Sequence, residues 1–109
     1  MNRLLQELQD HIVSWADRTF GKQRTPESIV AHLKKEVQEL SEKPYDLEEY
    51  ADVGILWLNA AAKAGYRLND LTAAMISKHA ENVGRKWGSP DKDGICEHVR
   101  TINAEEDKR

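Results

Sequence analysis

DLEEYADVGILWLNAAAKAGY, residues 46–66, is the stretch from which the architecture follows. Asp46 suits a helix N-cap and Gly65 suits the position just past a helix end, so a single helix is expected between them. Its centre, VGILWLNAAA, is apolar nearly all round, which predicts a helix buried from several sides at once. In a chain of 109 residues that predicts a homo-oligomer. The only sustained polar stripe holds Glu48, Glu49, Asp52, Asn59 and Lys63, and Leu56 interrupts it. Asp52 stands just ahead of the most apolar run. Buried acids are uncommon unless paired or holding a metal, so Asp52 is the residue hardest to explain as surface decoration.

Working outward, three more helical segments are expected and no convincing strand. Upstream, Thr25 suits an N-cap with Pro26 at the first helical position, and Ile29, Leu33, Val37 and Leu40 form one buried stripe before Pro44 closes the segment. Before that, Leu5, Leu8, Ile12 and Trp15 recur at helical spacing up to Gly21. Downstream, a segment starting near Asn69 carries Leu71, Met75, Ile76 and Val83 and stops at Gly88-Ser89-Pro90. The fold class is therefore all-α, with about four helices. Residues 1–103 are expected to be one domain, and AEEDKR, residues 104–109, a solvated charged tail.

Two acidic couplets lie on facing segments: Glu36-x-x-Glu39 in LKKEVQEL and Glu49-x-x-Asp52 in EEYADV. Residues three apart are neighbours on a helix surface, so each couplet aims two carboxylates at one place. If the two helices pack together, four carboxylates converge. At roughly 5 Å and an effective dielectric near 20, each like-charge pair costs about 3 kcal/mol, which calls for a cation. Hard oxygen donors suit Mg²⁺ or Mn²⁺, ions that commonly serve phosphate chemistry. Glu36 edges the apolar stripe, with Glu39 and His32 just beyond it. Blander readings exist. Glu49 could complete a capping box with Asp46, Glu36 and Glu39 could pair with Lys34 and Lys35, and Glu39 with Glu42 offers a second three-apart pair. No Glu has a His three residues later, which weighs against a di-iron bundle.

In the last segment the stripe of Leu71 and Met75 continues into Lys78, Asn82 and Arg85, with Lys86 close by. A basic helix end complementing the dipole is the plain explanation. Two or three cations facing the same interior as four carboxylates would also make a polyphosphate site. Trp87 is expected to pack the helix end.

Composition narrows the classes further. The chain is 32% charged and 39% hydrophobic with a net charge of −3, so a soluble globular protein without broad nucleic-acid binding is expected. No apolar run approaches a membrane span. MNRLLQELQD is amphipathic with early acids, unlike a secretory signal, so a cytoplasmic protein is expected. The single Cys96 reads as an ordinary thiol.

These blocks together resemble the all-α nucleoside triphosphate pyrophosphohydrolases of the MazG-like superfamily, whose hallmark is E-x-x-E followed by E-x-x-D. The resemblance spans roughly residues 10–88 and is strongest to the small bacterial and phage dATP/dGTP diphosphohydrolase branch that includes MazZ-type proteins, which implies a bacterial or phage-infected host cytoplasm. HLKKEVQEL, DLEEYADVGILWLNAAAKAGY and K-x-x-x-N-x-x-R-K-W, in that order, carry it. A departure is the short spacing, nine residues between Glu39 and Glu49. The resemblance implies a helical bundle forming a homodimer or a dimer of dimers, with sites at the subunit interface. It also implies metal-dependent conversion of a purine (deoxy)nucleoside triphosphate, dGTP or GTP favoured, to monophosphate and pyrophosphate. Glu36, Glu39, Glu49 and Asp52 would hold Mg²⁺ or Mn²⁺ and carry catalysis. Lys78, Asn82, Arg85 and Lys86 would hold phosphate and sugar, and His11, Trp15 and Phe20 the base, although core packing explains Trp15 and Phe20 equally well. The rival expectation is a non-enzymatic oligomeric adaptor or regulatory subunit with an acidic rim.

Overall fold

The computed structural model describes residues 2–99, in four α-helices: α1 (Asn2–Phe20), α2 (Pro26–Glu42), α3 (Leu47–Lys63) and α4 (Leu68–Val83). Among these residues the only β pairing is an isolated antiparallel bridge between Trp87 and His98. The expected tail, 104–109, lies outside the described residues. Two compact units are present, one ending at Ala73 and the other beginning at Ala74.

Local chemistry sets the helix ends. Thr25 Oγ1 accepts from Ser28 N while Ser28 Oγ accepts from Thr25 N, a reciprocal capping box with Pro26 next in line. Asp46 caps α3 through Glu48 N, and the alternative reading of Glu49 as the partner in a capping box is not realised, because Asp46 N donates to Lys43 O instead. At the far end of α3, Tyr66 N donates to Ala61 O and Gly65 N to Ala62 O, with Gly65 at φ +99°. This is the Schellman arrangement, and it needs a residue that tolerates the left-handed region. A Cβ at Gly65 would meet nothing within 4 Å, so the cost of Gly65→Ala is conformational only. We expect it to destabilise by about 1–2 kcal/mol, read as a lower midpoint in urea with an unchanged m-value.

In the first unit α2 packs along α3, and α1 packs on α3 less extensively. Ile12, Leu58 and Leu68 form the core, with Leu71 packed against it. The inward face of α1 carries Gln9, Ile12 and Ala16, whereas Leu5, Leu8 and Trp15 are at least 40% exposed. The apolar periodicity thus marks a face rotated from the one α1 buries within the chain. A polar clamp explains the rotation. Gln9, 1% exposed, donates to Leu58 O at 3.0 Å and Tyr66 O at 3.3 Å, while Gln6 Oε1 accepts from Leu68 N at 2.8 Å. On α2, Ile29 is fully buried and Leu33 and Leu40 are partly buried, but Val37 is half exposed. On α3, Leu58, Asn59 and Ala60 are buried while Ile55 and Trp57 remain exposed, so one chain covers only part of this helix.

In the second unit α4 stops at Val83, five residues before the glycine expected to end it. Gly84 N donates back to Ala80 O and Glu81 O, and the Asn82 carbonyl is taken by Arg85 N and by the Trp87 indole at 2.8 Å. Those bonds satisfy the last turn and release the chain toward the Trp87 bridge. Arg85 and Lys86 therefore lie beyond the helix and do not continue a helical stripe. Trp87 packs the helix end as expected.

Candidate metal centre

Four residues, 43–46, join α2 to α3, a connection that returns the second helix antiparallel to the first. This hairpin brings Glu36, Glu49 and Asp52 together, each offering one carboxylate oxygen, all within 4.8 Å of one another. Glu36 Oε2 and Glu49 Oε2 are buried without a hydrogen-bond partner. Asp52, expected to be the buried acid, is the exposed member, because it stands where the cluster opens onto a cavity. Glu39 is exposed and outside the tight trio.

The charges are poorly compensated. Hydrogen bonding with the Glu39 side chain, then desolvation, then repulsion from Glu39 and Asp52 hold the Glu36 carboxyl above its usual range, opposed by His32, whose Nε2 lies 3.4 Å from Glu36 Oε1. Desolvation raises Glu49, with repulsion from Glu39, Asp46 and Asp52 adding to it and Lys43 opposing. Among the described residues neither Lys34 nor Lys35 pairs with an acid, so the solvated-face explanation finds no partner here. An all-oxygen donor set with two partnerless buried oxygens fits a hard divalent cation.

These raised pKa values set the sign of a stability effect. The folded state binds protons on Glu36 and Glu49 more tightly than the unfolded chain, so folding is favoured while they are protonated. That contribution is lost as pH rises above the ordinary glutamate value of 4.5. Metal-free protein is therefore expected to melt at progressively lower temperature from mildly acidic to neutral pH. Glu36→Gln, which removes one charge, should flatten that slope; an unchanged slope would remove Glu36 from the repulsive cluster.

Beside the acids lies a cavity of about 610 Å³. Its lining includes Glu36, His32 and Asp52, the aromatic rings of Trp15 and Phe20, and the polar side chains of Arg24, Ser28 and Asn59. Trp15 and Phe20 meet edge to face with centroids 5.3 Å apart, and the Arg24 guanidinium sits 5.1 Å from the Phe20 centroid. His11 is exposed and outside this lining. Asn59 is 2% exposed, and its Oδ1 has no partner, at a cost of about 1–3 kcal/mol for a buried polar atom left unmet. Arg24 and Asn59 were missed as site residues. Asn59 lies seven positions after Asp52 and so on the same face two turns on, a signal present in the spacing.

In the second unit the cations are knitted around Glu81, also missed. Lys78 Nζ lies 3.5 Å from Glu81 Oε2, and Arg85 contacts Glu81 Oε1 at 3.1 Å and Asn82 Oδ1 at 3.0 Å. Lys78–Glu81 and Glu81–Arg85 are three and four residues apart, the spacings at which helical pairs meet. Lys86 is exposed.

The α2–α3 pair sets its acids beside an aromatic cavity, and the chain is similar to MazG-like enzymes. One solved member, the cyanophage S-2L MazG-like pyrophosphohydrolase bound to dGDP and three catalytic Mn²⁺ ions per active site, superposes with a TM-score of 0.73 at 34% identity, over 86% of this chain and 95% of that one. A dATP/dGTP diphosphohydrolase of Salmonella phage PMBT28 is 42% identical over 94 residues, 85% of this chain. This chain spans 31% of that relative's length. The dATP/dGTP pyrophosphohydrolase family matches residues 8–106, and the chain belongs to it.

Proposed function

We propose that this chain hydrolyses a purine nucleoside triphosphate, dGTP or GTP ahead of dATP, to the monophosphate and pyrophosphate. The observation that carries this reading is the trio of Glu36, Glu49 and Asp52 oxygens within 4.8 Å, two of the acids holding a buried partnerless oxygen, beside an aromatic cavity. Family membership and the Mn²⁺ and dGDP held by the cyanophage protein point the same way.

Glu36, Glu49 and Asp52, with Glu39 beside them, would hold Mg²⁺ or Mn²⁺. Bound there, such ions supply neutralisation of the triphosphate and a lowered pKa for water. The chain's own part begins with orientation: Trp15 and Phe20 seat the base, and Lys78, Asn82, Arg85 and Lys86 hold phosphate and sugar, the cations first trading Glu81 for phosphate oxygens. An oxygen–phosphorus bond then forms from water as the α–β phosphoanhydride bond breaks. The exposed Glu39 carboxylate takes the water's proton. His11 stays a candidate for the base edge only in a closed or oligomeric form of the site.

Exposed apolar side chains on α1 and α3 support a homodimer or homotetramer, because a lone protomer would leave them in water. Residues 1–103 acting as one catalytic domain belong to the same reading. So does a cytoplasmic location without nucleic-acid partners, in keeping with the net charge of −3; among the described residues no helix is long and apolar enough to cross a membrane.

The test is to incubate the protein with each common NTP and dNTP and Mg²⁺ or Mn²⁺, assaying pyrophosphate separately from orthophosphate. Monophosphate plus pyrophosphate from a purine nucleotide is expected. No turnover of any nucleotide with either metal would favour the binding-module alternative.

A further inference from the structure

We propose that Asn59 is the residue that reads the purine base, in the cavity it shares with Glu36 and Asp52. The inference rests on the nucleotide reading above and goes beyond it by naming a specificity residue. Asn59 is 2% exposed, belongs to the cavity lining, and its amide oxygen has no hydrogen-bond partner. A buried carboxamide whose oxygen is left unpartnered gains nothing from packing; Leu58 and Ala60 beside it are buried hydrocarbon.

Geometry matches the amide to a nucleotide's length. Asn59 follows Asp52 by seven residues, about 10.5 Å along the helix axis at 1.5 Å per residue. That is close to the span from an α-phosphorus to the far edge of a purine. The phosphate end would lie at Glu36 and Asp52, the ring against Trp15 and Phe20, and the base edge at Asn59, all within one cavity of about 610 Å³. The six-membered ring of a purine stands farther from its sugar than that of a pyrimidine, so reach alone favours purines.

The chemistry fits both purines. A carboxamide presents a donor beside an acceptor, and a half-turn about χ2 exchanges them. In one orientation Nδ2 donates to guanine O6 while Oδ1 accepts from N1–H; in the other Oδ1 accepts from adenine N6–H while N1 accepts from Nδ2. One residue can therefore serve guanine and adenine, while an aspartate in its place, an acceptor only, would serve guanine's adjacent N1–H and N2–H donors and leave adenine N1 unmet.

The experiment measures calorimetric binding of dGMP, dAMP, dCMP and dTMP in Mn²⁺ to the wild type, Asn59→Leu and Asn59→Asp. The wild type should bind the purines about ten-fold tighter than the pyrimidines, and Asn59→Leu should bring all four within about three-fold, the scale of one lost bidentate contact. Asn59→Asp should keep dGMP and lose dAMP by about ten-fold. Wild-type binding that ignores the base, absent binding, or variants that keep the wild-type preference or weaken all four equally would each overturn the proposal. If Asn59→Leu does not fold, Asn59→Asp decides alone. Purine preference that collapses in the variants, with no triphosphate hydrolysed by the wild type, would sink the hydrolase reading and leave the base-reading role standing.

Discussion

Glu36→Gln is expected to lower turnover of a purine deoxynucleoside triphosphate by about 10²–10³-fold, the range seen when one preorganised electrostatic group is removed. The substitution keeps the shape of the side chain, so the helix should remain. What it takes away is one of the three charges brought within 4.8 Å, on a residue whose second oxygen has no protein partner to lose. Asp52→Asn should behave the same way, because it belongs to the same trio and lines the cavity with Glu36. Lys34→Gln, exposed and without an acidic partner among the described residues, should leave the rate alone. Rates at saturating Mg²⁺ alongside far-ultraviolet circular dichroism would decide. Retained activity in Glu36→Gln would take that residue out of the metal site.

Mn²⁺ together with a purine nucleotide should raise the stability of the wild type by about 2.7 kcal/mol at a hundred times the dissociation constant, a melting shift on the order of 10 °C. Its physical basis is the repulsion stored among Glu36, Glu49 and Asp52, which a divalent cation relieves, followed by nucleotide closing the aromatic cavity. Mn²⁺ alone should give part of the shift and nucleotide alone little. Asp52→Asn should lose most of it while melting no lower than the wild type without metal. A wild type whose melting ignores Mn²⁺ would mean that the acids hold no cation, and the oligomeric adaptor would become the better account.

Much of this was legible before any coordinates. Thr25, Pro26, Asp46, Gly21 and Gly65 mark helix boundaries because capping and left-handed termination act over three to five residues, within reach of sequence reasoning. The acidic couplets follow from the same short range. The end of α4 was misjudged because it depends on the Trp87 indole reaching back to the Asn82 carbonyl, a choice between bonds that periodicity does not encode. Glu81 was legible in its spacing to Lys78 and Arg85, three and four residues away, where helical ion pairs meet.

By itself, then, the chain of residues determined four helices, where three of them begin or end, and which carboxylates share a turn, because each depends on neighbours a few positions away. Only the tertiary structure decided which side of α1 turns inward, since Gln9 could not bond Leu58 and Tyr66 carbonyls until α3 lay beside it. It also decided that Glu36 and Glu49, rather than Asp52, carry the buried oxygens, and that Asn59 shares a cavity with Trp15 and Phe20. Burial and the absence of a hydrogen-bond partner are properties of what packs against a residue, and helical spacing along one segment does not contain them.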